Sequence, residues 1–164
     1  MRPAFGRVRG FLREQAADFR PVCTTGETGA QRVAAAAHVP GRQVVKVVVV
    51  REAGGAPLMV VLPATQQLDL RALAWATQEK GVSLVTPGEL AVLFPDCEPG
   101  VVPPFGSLYG MPVYADACLR DVPELLLPGG DGLRAVSMSW REFDRLAIPI
   151  VAPLCLHAPP GLPA

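Results

Sequence analysis

One lysine stands out among the residues that could do chemistry, because it interrupts an apolar run. The chain has two lysines, and Lys46 lies within the sequence VVKVVVV of residues 44–50. Side chains alternate along a strand, so Lys46 shares a face with Val44 and Val48. Burying an unpartnered ammonium costs several kcal/mol. Lys46 therefore either reaches the solvent from the strand's frayed start or projects into a cleft to meet a phosphate, hydroxyl or carbonyl oxygen.

A second candidate is the proline-rich segment DCEPGVVPPFG at residues 96–106. Its prolines make the loop stiff, and its glycines allow the backbone to approach a ligand closely. Backbone amides held in this way can bind an oxyanion or a ribose hydroxyl. Because Pro103 and Pro104 have no N–H, the available donors are Val101, Val102, Phe105 and Gly106. A rigid connector is the alternative interpretation, and Phe105 could fill the core or form a pocket wall.

Other polar residues give weaker signals. Asp116 and Asp131 stand near predicted strand ends, where an acid is more often a cap or turn former than a catalyst. Neither His38 nor His157 is accompanied by a nucleophile elbow, and the phosphate-loop, dinucleotide and zinc-protease motifs are absent from the sequence. Any chemistry must therefore use positioning, backbone amides and the single lysine, with no metal and no cofactor expected.

Composition limits the class of protein. The 164 residues are half hydrophobic and carry 15 basic and 15 acidic side chains, which indicates one folded domain without a broad basic surface for nucleic acid. No apolar run approaches the roughly 20 residues of a membrane span, and no signal peptide is recognisable, so we expect a soluble, cytoplasmic protein without membrane partners. The cysteines lack a C-x-x-C pair, so we expect them to be reduced and mostly buried: Cys23, Cys97, Cys118 and Cys155.

These candidates need elements that position them. The sequence predicts helices at residues 28–38, 69–80, 86–94 and 139–147, and strands at residues 44–51, 57–63, 83–85, 111–116, 122–127 and 133–138. Thr86 and Ser139 each precede a glutamate by three residues, which is a capping-box signal. We expect a mixed α/β domain around one curved sheet at residues 21–148, with a loosely docked arm at 1–20 and an extended, partly disordered proline-rich tail at 149–164.

Together these segments resemble a known family. The sequence VVKVVVV, the following LMVVLPATQQLDL, the segment SLVTPGELAVLFPDCEPGVVPPFG and the trailing YGMPVYADACL are similar to the YbaK/EbsC family of prolyl-tRNA synthetase-associated editing domains and their free-standing deacylase relatives. The resemblance covers about residues 28–147. It implies a curved, barrel-like mixed sheet flanked by helices, and hydrolysis in trans of amino acids wrongly esterified to tRNA.

The resemblance also implies site residues. Lys46 would lie by the terminal adenosine of the tRNA, and the family's G-x-x-x-P loop would hold the aminoacyl ester and ribose. The catalytic group would then be Lys46, Gly100, Val101 and Val102, and the substrate-binding group Pro103, Pro104, Phe105, Gly106 and Asp116. Many relatives carry histidines where this chain has residues 23–27 or 129–132, so its amino-acid specificity stays open.

The expected reaction is hydrolysis of an ester of Ala, Ser or Cys on tRNA, and a synthetase is a possible partner. Loop amides would stabilise the oxyanion, and Lys46 would orient the ribose and phosphates electrostatically. Two alternatives remain. The domain could bind an aminoacyl-tRNA or a nucleotide without catalysis, or the arginine-rich arm, with net charge +3, could bind nucleic acid without reading its sequence.

Overall fold

Eight strands and four α-helices form the part of the chain that the computed structural model describes, namely residues 3–23, 40 and 43–156. The helices are α1 (Ala4–Glu14), α2 (Leu70–Thr77), α3 (Pro87–Leu93) and α4 (Trp140–Ala147). The strands are β1 (Arg20–Cys23), β2 (Val45–Glu52), β3 (Pro57–Pro63), β4 (Val82–Leu84), β5 (Val113–Asp116), β6 (Leu125–Asp131), β7 (Arg134–Met138) and β8 (Ile150–Ala152). The helix predicted at residues 28–38 lies outside the described residues.

The strands form two sheets. The larger has the order β4-β2-β3-β5-β8, in which β5 runs parallel to both β3 and β8, and the smaller has the order β1-β7-β6. An isolated parallel bridge between Val44 and Leu126 joins them at the start of β2. The mixed α/β class is thus confirmed. The single sheet that we expected is two sheets, because β6 meets the larger sheet only through this one isolated bridge.

Three apolar clusters hold the sheets and helices together. The largest lies between β2, β3, β5, β6 and β7 and the helices α1 and α4, and it includes Val45, Val49, Phe105 and Phe143. A second cluster covers the opposite face of β2 and β3, where Leu73 of α2 packs. The third is small and lies at the junction of the sheets, where Val44, Leu126 and Ala135 meet.

The expectation of a loosely docked N-terminal arm is wrong. Residues 4–14 form α1, and the apolar side of this helix is buried at Phe5, Val8 and Leu12, which are at most 3% exposed. Their spacing of three and four residues places them on one helix face. The helix also packs on Gly129 and Gly130, where an added Cβ would lie only 2.8 Å from the Phe5 ring at Gly129. The predicted turn at these glycines is therefore part of β6.

The C-terminal segment is also ordered as far as it is described. Residues 150–152 form β8 alongside β5, and Leu154 is fully buried. The backbone N–H of Leu156 donates to the carbonyl oxygen of Gln67 at 2.8 Å. The predicted disorder is therefore wrong for residues 149–156, because this edge strand completes the larger sheet. Residues 157–164 lie outside the described part.

The three predicted helix starts that fall in the described residues are confirmed. The Thr86 hydroxyl accepts from the N–H of Glu89 and begins α3, and the Ser139 hydroxyl accepts from the N–H of Glu142 and begins α4. Asp69 caps α2 in the same manner. Among the helices of the described ranges, none has the length and apolar character that a bilayer crossing requires.

Candidate functional site

Lys46 lies one residue inside β2 and is half-buried. Val48 and Val50, which follow it on the same face, pack into the second cluster, whereas Val45 and Val49 point into the large one. The predicted alternation is therefore confirmed. No ion pair or hydrogen bond to Lys46 occurs within the described ranges, so its ammonium has no direct partner among these residues.

Asp116 shares this face with Lys46. Lys46 lies opposite Leu62 of the neighbouring strand β3. Strand β5 is the next strand along, and its register pairs Val61 with Ala115. One residue further in the same register, Leu62 lies beside Asp116. Two strand spacings, about 10 Å, therefore separate the backbones of Lys46 and Asp116. The structure thus brings these two predicted residues to the same end and the same face of the larger sheet.

The Asp116 carboxylate organises the backbone around it. It is 4% exposed and accepts hydrogen bonds from the N–H groups of Cys118, at 3.0 Å, and Leu154, at 2.7 Å. Burial alone would raise the pKa of Asp116, but the hydrogen bonds from Cys118 and Leu154 outweigh it and the pKa is lowered. Asp116 therefore caps the short helix Ala117–Asp121 and fastens the C-terminal segment, which is a structural role.

Two thiols lie close to Asp116. Burial raises the pKa of both Cys118 and Cys155 to about 12, and the adjacent Asp116 carboxylate adds to the rise. The charge of Lys46 opposes this rise at Cys155, which indicates that the lysine is near this thiol. At neutral pH both thiols are protonated and are weak nucleophiles. Cys118 is exposed, as is Cys23, so the expectation of mostly buried cysteines is wrong for these two.

The proline-rich loop begins with a tight turn. The N–H of Val101 donates to the carbonyl oxygen of Glu98 at 3.2 Å, and Gly100 has φ +78°. Pro99 followed by a glycine at positive φ is the pattern of a type II turn, which explains why a glycine suits this position. Val101, which we had counted among the possible donors, is therefore not available, because its N–H is used in the turn.

The rest of the loop presents unused backbone donors. The N–H groups of Val102, Phe105 and Gly106 find no acceptor in the described part of the chain. These residues are buried, as are the intervening Pro103 and Pro104, which have no N–H. Buried backbone N–H groups are paired in the great majority of cases. Three donors within five residues that lack an acceptor among the described residues are thus the most unusual feature of this loop.

The side chain of Phe105 is part of the core. Its ring is fully buried between Phe11, at 5.6 Å between centroids, and Phe143, at 6.2 Å. It therefore cannot form the wall of an open pocket, and only its backbone could contact a substrate. Gly106 is also fixed by packing, because an added Cβ would collide with the carbonyl oxygen of Met111 and lie 2.7 Å from Val113.

A polar cluster that the sequence did not indicate holds the start of the loop. The Arg7 guanidinium of α1 donates to Asp96 at 2.6 Å and to the carbonyl oxygen of Leu108 at 2.7 Å. Tyr109 donates to the same carboxylate at 3.3 Å and contacts the thiol of Cys97. The bond to Asp96 raises the pKa of Arg7, and burial raises the pKa of Cys97 to about 11. Helix α1 thus clamps both ends of the loop.

No hydrogen bond joins Lys46 to the loop within the described residues. The loop residues Val102 and Phe105 belong to the large cluster, which contains Val45 and Val49, whereas Lys46 extends from the opposite face of β2. Within the described residues, no three His, Cys, Asp or Glu side chains meet as a metal site.

Comparisons with known proteins show several that this chain is similar to. The sequence model of the aminoacyl-tRNA editing domain family matches residues 25–146. A candidate trans-editing enzyme for prolyl-tRNA synthetase superimposes with a TM-score of 0.81 at 24% identity, over 96% of this chain and 99% of its own. The hypothetical protein APE2540 gives 0.84 at 20% identity, over 92% and 99%.

A scaffold used for computational grafting of epitope backbones gives a TM-score of 0.84 at 23% identity, over 96% of this chain and all of its own. No curated protein matches the sequence. At these identities the superpositions establish the fold alone, whereas the family match rests on the sequence itself.

Proposed function

The chain belongs to the aminoacyl-tRNA editing domain family, and on that premise we propose that it acts in trans as a deacylase of tRNA charged with a small amino acid. Water would attack the ester carbonyl carbon, the bond to the ribose oxygen would break, and that oxygen would take up the proton. An aminoacyl ester is already activated, so precise positioning can supply much of the acceleration, on the order of 7–11 kcal/mol in favourable cases.

The observation that carries the proposal is the set of N–H groups at Val102, Phe105 and Gly106 that find no acceptor among the described residues. Negative charge develops on the ester oxygen as water attacks, and fixed backbone donors stabilise it without having to reorganise. Loss of one such donor typically costs about 3–4 kcal/mol. The rigidity of Pro103 and Pro104 and the clamp at Asp96 support a preorganised site.

Lys46 would act on the nucleic acid and not on the ester itself. Its positive charge suits a phosphate or a ribose of the single-stranded tRNA end. Lys46 can bind such a group without touching the loop. The protein's zero net charge agrees with recognition of this end alone, since a long phosphate contact would require a basic surface. We place this activity in the cytoplasm, where the substrate would be encountered.

Pocket size would decide which amino acid is removed. A pocket that excludes larger side chains admits Ala, Ser and Cys, and one methylene changes binding by only roughly 1–3 kcal/mol. The likeness to a candidate trans-editing enzyme for prolyl-tRNA synthetase makes tRNA that accepts proline the first to test, with that synthetase as a possible partner.

The test is to charge this tRNA separately with Ala, Ser, Cys and Pro, and to follow release of the amino acid with and without the protein. We expect rapid hydrolysis of at least one small mischarged ester and little hydrolysis of the prolyl ester. Tight binding without turnover of any ester would contradict the proposal and favour a non-catalytic binding module.

A further inference from the structure

The side chain of Arg7 joins the two ends of the proline-rich loop through one planar group. Its Nη1 donates to the Asp96 carboxylate at 2.6 Å, at the start of the loop. Its Nη2 donates to the carbonyl oxygen of Leu108 at 2.7 Å, just after the last loop residue. Because a guanidinium holds its donors in a rigid fork, these two bonds together fix the position of Leu108 relative to Asp96.

The ring of Tyr109 keeps this guanidinium in one orientation. The ring centroid lies 4.9 Å from the Arg7 guanidinium carbon, and the Tyr109 hydroxyl donates to Asp96 at 3.3 Å. Phe94, which is 2% exposed, packs edge-on against the same ring at 4.7 Å between centroids. The guanidinium is thus bonded at both terminal nitrogens and covered on one face by an aromatic ring that the core holds.

The carbonyl group that Arg7 binds belongs to a peptide that also contacts Gly106. In the trans peptide between Leu108 and Tyr109, the C=O points toward Arg7 and the N–H points the opposite way. That N–H donates to the carbonyl oxygen of Gly106 at 2.9 Å. The bond from Arg7 therefore orients the peptide plane that holds the Gly106 carbonyl.

The N–H of Gly106 is oriented from its other side. It shares a peptide plane with the carbonyl of Phe105, whose oxygen accepts from the N–H of Leu108 at 3.0 Å. Both peptide planes of Gly106 are thus held by the short segment to which Arg7 is bonded. The Gly106 N–H itself points away from the Phe105 oxygen and finds no acceptor in the described part of the chain.

We propose that Arg7 is a positioning residue for deacylation, because through the Leu108 carbonyl it holds the Gly106 N–H where negative charge develops on the ester oxygen. The inference rests on the proposed function, in which this N–H is one of the loop donors. A donor that acts mainly in the transition state contributes to kcat and little to substrate binding. Displacing the Gly106 N–H should therefore lower kcat and leave KM nearly unchanged.

The kinetic experiment compares Arg7→Lys with Arg9→Lys on the mischarged ester that the wild type hydrolyses fastest. Arg7→Lys keeps a cation beside Asp96 but cannot also place a second nitrogen at the Leu108 carbonyl. We expect kcat to fall roughly tenfold to a hundredfold while KM changes by less than about twofold. Arg7→Met, which supplies neither bond, should lose at least as much. Arg9 is exposed on the same helix, so Arg9→Lys should match the wild type.

A spectroscopic measurement separates positioning from a loss of overall stability. In protein labelled with nitrogen-15 glycine, each glycine gives its own amide signal, and the signal that Gly106→Ala removes is that of Gly106. Arg7→Lys should shift this signal and leave unchanged that of Gly54, which lies in the turn between β2 and β3. A variant that is only less stable would keep both signals of the folded state in place.

The outcomes distinguish this inference from the proposed function. If Arg7→Lys and Arg7→Met fold, as judged by circular dichroism, a wild-type kcat or an unshifted Gly106 signal would overturn the positioning role while leaving deacylation intact. A raised KM at unchanged kcat, or an equal loss in Arg9→Lys, would also overturn it. Wild type that hydrolyses no mischarged ester would overturn the proposed function and this inference with it.

Discussion

The Arg7 guanidinium lies 2.6 Å from the Asp96 carboxylate and joins the first helix to the first residues of the proline-rich loop, 89 positions away. The Asp96 side chain is 1% exposed, so this pairing replaces the water that the carboxylate would otherwise bind. Helix α1 is consequently part of the framework that shapes the candidate oxyanion site.

Replacing Arg7 should therefore destabilise the fold. Arg7→Met leaves the buried Asp96 without its cation, and because Arg7 is itself one-third exposed we expect a loss of about 2–3 kcal/mol in the free energy of unfolding. Urea denaturation measures this loss. Arg9→Met is the matched control, since Arg9 is an exposed arginine of the same helix and should change stability by less than about 0.5 kcal/mol. If both variants lost the same free energy of unfolding, the ion pair between Arg7 and Asp96 would not stabilise the fold.

Gly106→Ala should disturb the loop from within. The added methyl group would collide with backbone at Met111, so we expect a loss of about 1–3 kcal/mol together with reduced deacylation. Gly10→Ala provides the contrast, because no atom lies within 4 Å of its Cβ position and alanine favours a helix. That variant should gain about 0.5–1 kcal/mol. Thermal unfolding of both variants measures these two changes in stability. A Gly106→Ala variant as stable as the wild type would be inconsistent with this packing.

Asp116 should make the protein less stable as the pH falls below about 4. Its pKa in the folded state is below the ordinary 3.8, so its contribution is complete above about pH 4 and disappears as the pH falls through the lowered value. Asp116→Asn should cost about 1–3 kcal/mol at pH 7, and the difference from wild type should shrink toward pH 2. Urea unfolding across this range measures it. A difference that stays constant with pH would show that the carboxylate's charge contributes nothing.

Local signals in the sequence predicted much of the sheet and its flanking helices. Strand β3 has the predicted bounds, and the helices after Thr86 and Ser139 begin where their capping boxes indicate. The face occupied by Lys46 also followed correctly, because alternation in a β-strand depends on neighbouring residues alone.

Features that depend on distant contacts could not be predicted in the same way. Helix α1 has low overall hydrophobicity and no side-chain N-cap, although the spacing of Phe5, Val8 and Leu12 was a signal that could have revealed it. In the sequence, Gly129 and Gly130 are typical of a turn. In the structure they lie against α1, which could not pack so closely on residues with side chains. Nothing near Asp116 in the sequence indicates that it would bind the backbone of Leu154.

The most direct test of the account compares the chain's two lysines in deacylation. Lys46→Met keeps the aliphatic bulk and removes the cation, and Lys80→Met removes an exposed one. With mischarged alanyl-tRNA as substrate, we predict that Lys46→Met loses on the order of a hundredfold in kcat/KM, the effect of misplacing a substrate, while remaining folded. Lys80→Met should match the wild type. Hydrolysis by Lys46→Met at the wild-type rate would contradict the account.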